Sequence, residues 1–75
     1  MYRIKFIPKT RLYEIHSRFD GAFEGDLTSI TKKAVEIGLD QRELTTAYEV
    51  MRKNEHLVAE FGIRGTFMYS HTKLK

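Results

Sequence analysis

The chain has no cysteine, a single proline and only a small excess of one charge. Without cysteine there can be no disulfide staple, no thiolate metal ligand and no thiol nucleophile. No apolar run approaches the roughly 18 residues of a membrane span, so no membrane partner is expected. The N-terminal MYRIKFIPKTR alternates charged with apolar side chains and does not read as a signal peptide. A cytoplasmic location is therefore the default expectation. Thirteen Lys and Arg face 10 Asp and Glu, for a net charge of +3. That mild bias permits contact with nucleic acid without demanding it.

What is present is an ordinary globular balance, 41% hydrophobic and 31% charged over 75 residues, which is not the signature of disorder. Residues 1–75 allow one small domain with one modest core. A chain of this size buries only about 60% of its unfolded surface. Modest stability is expected, to which a partner or a dimer interface would add. The charge is unevenly spread. Residues 26–54 set Lys32, Lys33, Arg42, Arg52 and Lys53 against Asp26, Glu36, Asp40, Glu43 and Glu49 and are neutral. The excess sits in the flanks, chiefly on Arg3, Lys5, Lys9, Arg11 and Arg18.

Tyr2, Ile4 and Phe6 alternate with Arg3 and Lys5, which predicts a short strand that Pro8 ends. The stretch KTRLYEIHSRF fits two periods. Leu12, Ile15, His16 and Phe19 have helical spacing, and Tyr13, Ile15, Ser17 and Phe19 have strand spacing; the reading leans to helix. DGAFEGD is a glycine-rich connection in which Phe23 could pair as a strand. A helix is expected over about 27–37, capped by Asp26 or Thr28, with Leu27, Ile30, Ala34 and Ile37 on one face. Gly38 then suits a left-handed C-cap. Asp40 caps a second helix, with Glu43 three residues on in a capping-box pattern. Leu44, Ala47, Tyr48 and Met51 form its apolar stripe. After Asn54 the period changes to alternation through Leu57, Ala59, Phe61 and Ile63. Arg64-Gly65 offers a turn, and Phe67 and Tyr69 resume the alternation, which predicts a β-hairpin. Continuation of the second helix through Leu57, Val58 and Phe61 is the competing reading. HTKLK reads as a frayed tail.

The order helix, tight turn, helix, hairpin resembles the winged helix-turn-helix superfamily over about residues 27–70. ITKKAVEIGLDQREL carries the match, with Ala34, Gly38, Leu39 and Leu44 at the junction positions, and HLVAEFGIRGTFMYS stands where the wing would be. The resemblance implies a small α+β domain of the winged helix-turn-helix type: two or three helices, a C-terminal β-hairpin and a short N-terminal strand. It further implies that the second helix reads double-stranded DNA. Gln41, Arg42, Thr45, Thr46 and Glu49 would then meet base edges or phosphates, with Arg42 placed for a bidentate guanine contact. Lys53, Lys32 and Lys33 would contact backbone phosphates, and Arg64 at the wing tip would enter a minor groove. On this reading the protein is a homodimer, joined through Tyr2–Ile7, that regulates transcription or a related DNA transaction.

Catalytic patterns are lacking. His16, His56 and His71 have no metal-ligand spacing, Ser17, Ser29 and Ser70 have no nucleophile elbow, and Gly21 and Gly25 form no phosphate loop. No enzyme activity, cofactor or metal is expected. The alternative to a DNA-binding regulator is a non-enzymatic protein-binding modulator or inhibitor on the same scaffold, of the kind phages and mobile elements carry. Five Phe and four Tyr are many for so small a body, and those left exposed would favour a protein interface. The N-terminal aromatics, interleaved with Arg3, Lys5 and Arg11, could instead stack on single-stranded bases.

Overall fold

A computed structural model describes residues 1–19 and 21–73. Three strands come first, β1 Tyr2–Ile7, β2 Leu12–Ser17 and β3 Gly21–Gly25. Two helices follow, α1 Leu27–Glu36 and α2 Gln41–Asn54. The strands β4 Val58–Phe61 and β5 Phe67–His71 close the chain. All five strands join one antiparallel sheet in the order β3-β2-β1-β4-β5. α1 packs over β2 and β3, and α2 over β4 and β5.

This overturns the winged helix-turn-helix expectation. The domain is a β-rich α+β fold. Residues 12–17 form a strand where a helix was expected, and no third helix occurs among the described residues. The reason lies in burial. Period 2 turns Tyr13, Ile15 and Ser17 toward the helices and Leu12, Glu14 and His16 away from them. Pairing with β1 sets Ile4 beside Ile15 and Phe6 beside Tyr13. As a helix, the same residues would have left one side of β1 without backbone partners. The hairpin of β4 and β5 is not a free wing either, because β4 lies against β1 in the middle of the sheet. β1 is hydrogen-bonded on both sides, so it has no free edge to offer a second copy, and the expected dimerisation element is removed.

The expected helices are present, and their caps hold. Asp26 accepts the Ser29 N–H at 2.8 Å, and Asp40 accepts the Arg42 N–H at 2.8 Å. Glu43 does not complete a capping box. Its carboxylate accepts the Phe67 N–H of β5 at 2.8 Å, pinning α2 to the sheet. The core lies between helices and sheet, built on Ile4, Ile15, Ala59 and Phe61 below and Ile30, Ala34, Leu44, Ala47 and Met51 above. Tyr2, Phe6 and Tyr13 are partly buried and pack against it. Gly38 and Gly65, with φ of 112° and 79°, turn the α1–α2 and β4–β5 connections. The two turns meet so closely that a Cβ on Gly65 would stand 2.6 Å from the Gly38 carbonyl oxygen. Of the expected tail, Leu74 and Lys75 lie outside the described residues, and His71 belongs to β5.

Candidate interaction surface

The residues expected to read DNA divide into separate groups. On α2, Arg42, Thr46, Glu49 and Lys53 recur at i, i+4, i+7 and i+11, and all four are exposed. Gln41 and Thr45 belong to the neighbouring stripe, which continues through Tyr48 and faces α1. The Thr45 hydroxyl donates back to the Gln41 carbonyl at 3.1 Å, so it is already partnered. Lys32 points to the same side from α1. Lys33 points elsewhere, over the Phe23 ring at 5.7 Å and within 3.4 Å of Glu36. Arg64 is exposed in the β4–β5 turn. The structure thus brings Lys32, Gln41 and Thr45 to one place and leaves the other six apart from it.

That place is a groove between the two helices of about 580 Å³. Leu27 and Val35 supply its apolar wall from α1, 40% and 45% exposed. The Tyr48 ring closes the other side. Its hydroxyl is hydrogen-bonded to Thr31 Oγ1 at 2.9 Å, which locks the helices together across the groove. Burial raises the Tyr48 pKa, against the opposing pull of the Thr31 hydrogen bond. Lys32 is the charged residue of the lining, and among the described residues no carboxylate lines it. Leu27 was expected in the core, and Val35 was not singled out at all. Both belong to a second apolar stripe on α1, Leu27, Thr31 and Val35 at spacing 4, legible beside the core stripe of Ile30 and Ala34.

The opposite face of the sheet carries a charged network. Glu60 is 6% exposed, yet its carboxylate receives the Arg3 Nε at 2.9 Å and the His71 Nε2 at 2.8 Å. Burial pushes the Glu60 carboxyl upward, but the His71 and Arg3 hydrogen bonds and charges outweigh it and leave the pKa below its ordinary value. The Lys73 N–H donates to His71 Nδ1 at 3.2 Å. That leaves Nε2 as the ring nitrogen that donates to Glu60. His16 contacts Glu14 on the same face. A buried, paired carboxylate was not anticipated from the sequence; the available signal was Glu60 sitting between inward-facing Ala59 and Phe61 on a strand beside Arg3. Both imidazoles are engaged by carboxylates, and no group of three or more His, Asp or Glu able to hold a metal ion occurs among the described residues. Nor is any helix among them long and apolar enough to cross a membrane.

Comparison of the chain with family models, with curated proteins and with solved structures finds no match.

Proposed function

We propose that this protein is a non-enzymatic protein-binding module whose groove between α1 and α2 receives an acidic amphipathic helix of a partner protein. The lining of the groove carries the reading. Two exposed aliphatic side chains and a half-buried tyrosine line a helical groove, the arrangement that takes up the apolar stripe of a docked helix. Lys32 at its rim, in a lining that holds no carboxylate among the described residues, suits acid on the partner. A second copy of this chain fits less well, since its own groove would set Lys32 against a surface with no acid to meet it. The DNA reading has lost its winged framework. Its cations also do not converge: Lys33 is taken up by Glu36 and Phe23, and Glu49 dilutes the Arg42 stripe.

The test is site-specific photocrosslinking, with benzoylphenylalanine at Val35 and, as control, at exposed Ala22 in β3. The expected result is a nuclease-resistant adduct at Val35 alone, mapping to an acidic helical segment of another protein and weakened by Lys32→Glu. Adducts only to nucleic acid, only between copies of this chain, or equally at both positions would overturn the proposal.

A further inference from the structure

A second cleft, of about 480 Å³, lies where β1 reaches Pro8, β2 begins and α2 ends. It is independent of the helical groove. Its walls are apolar and aromatic: Phe6 and Tyr13, with ring centroids 5.0 Å apart, together with Met51 and Leu57. Its volume falls toward the small end of the roughly 300–1,000 Å³ typical of small-molecule sites, room for one aromatic side chain. The loop that forms the lip is well fixed. The His56 N–H donates to the Met51 carbonyl at 2.8 Å, and the Phe6 N–H to the Leu57 carbonyl at 2.8 Å. His56 Nδ1 is in turn hydrogen-bonded to Ser70 Oγ.

Two opposite charges stand on that lip. Arg52 lies close enough to the wall for its positive charge to act on the Tyr13 phenol, whose pKa burial raises and Arg52 lowers. Glu55 occupies the left-handed position that ends α2, with φ of 55°, where glycine is the residue of least strain. Arg52 and Glu55 are three residues apart, but they form no ion pair with each other. Among the described residues, neither side chain has an ion-pair or hydrogen-bond partner. A strained residue with a free carboxylate at the mouth of an aromatic cleft is an outlier that function would explain.

We infer that the cleft binds a free aromatic amino acid: its ring against Phe6 and Tyr13, its carboxylate on Arg52 and its ammonium on Glu55. An anion alone would meet Glu55, and a cation alone would meet Arg52; only the zwitterion satisfies both. A ligand this small on an open cleft should bind with a Kd on the order of 1 mM.

The experiment is an amide-shift NMR titration of the full chain with L-phenylalanine, N-acetyl-L-phenylalanine and L-phenylalaninamide. Saturable shifts confined to Tyr13 and residues 52–57 are expected with L-phenylalanine. Binding of the acetylated and amidated forms should be about 10-fold weaker or more. Glu55→Gln should abolish discrimination against the acetylated form, and Arg52→Gln discrimination against the amide. Both side chains are exposed, and the shift pattern of each variant reports its fold directly. Three results would overturn the proposal: no saturable shifts, shifts that map to Leu27, Val35 and Tyr48, or equal binding of all three compounds. Equal binding of the acetylated form alone would also overturn it, and would make the occupant a peptide carboxy terminus.

Discussion

Replacing Glu55 by glycine should make the protein more stable. A non-glycine residue in the left-handed region costs roughly 1–2 kcal/mol, and Glu55 sits there with φ of 55°. Glycine relieves that strain but adds conformational freedom to the unfolded chain, which takes back roughly 0.4–1 kcal/mol. The carboxylate also stands at the negative end of the α2 dipole, an unfavourable placement worth roughly 0.3–1 kcal/mol at low salt. The net expectation is a gain of about 1 kcal/mol, or about 4–8 °C in Tm for a domain of this size.

Glu55→Gln separates the two contributions, because it removes the charge and keeps the strain. Thermal unfolding followed by far-UV circular dichroism, at low and at high salt, is the assay. Glu55→Gln should recover only the dipole part, and that gain should fade with salt. Glu55→Gly should keep an additional, salt-independent increment. If Glu55→Gly unfolds at or below the wild-type temperature, or if Glu55→Gln matches it at high salt, the left-handed residue stores no strain. The case that its carboxylate is kept for a ligand would then lose its energetic basis.

Three further outcomes follow from the same geometry. The Glu60 carboxyl is held below its ordinary value of 4.5, so its stabilising share is complete above that pH and lost as pH falls through the depressed value; urea midpoints at pH 6, 4 and 3 should fall, and Glu60→Gln should flatten that acid limb while lowering the midpoint at pH 6. Gly65→Ala puts a Cβ 2.6 Å from the Gly38 carbonyl oxygen at a φ of 79° and should cost about 2 kcal/mol or more in denaturant unfolding; an unchanged midpoint would refute the close contact of the two turns. Val35→Asp, at a solvent-exposed position, should stay within about 0.5 kcal/mol of wild type in stability and still lose the partner adduct formed through the groove.

The sequence announced its helices more clearly than its sheet. Caps are local chemistry, and Asp26, Asp40 and Gly38 can be read one turn at a time. Strand partners are not local: Ile4 meets Ile15 and Ala59, and nothing near Ile4 in the chain names the second of these. The segment from Leu12 to Ser17 misled for a related reason. Ile15 satisfies both periods, and the choice between them is made by an unpaired neighbouring strand, not by propensity. Glu43 shows the same limit on a smaller scale. Its spacing from Asp40 spells a capping box, but the Phe67 N–H on the edge strand is the donor it takes.

The surfaces were legible in proportion to how far one helix defined them. The α1 stripe of Leu27, Thr31 and Val35 and the α2 stripe of Gln41, Thr45 and Tyr48 can each be drawn from spacing alone; that they face each other requires the fold. The aromatic cleft could not be assembled from the sequence, since Phe6, Tyr13, Arg52 and Glu55 come from two strands, a helix end and a loop. What the sequence does hold is the anomaly at its lip. The helix that begins at Asp40 runs to Asn54 with no glycine near its end, while α1 ends on Gly38 as helix chemistry prefers. One chain solves the same terminus in two ways, and the solution that keeps a charge at a cost in stability borders a cleft with aromatic walls and, among the described residues, unpaired charges of both signs. The Glu55 stability test and the ligand titration therefore bear on one claim from opposite directions: the substitution that most improves the fold should be among those that most weaken binding.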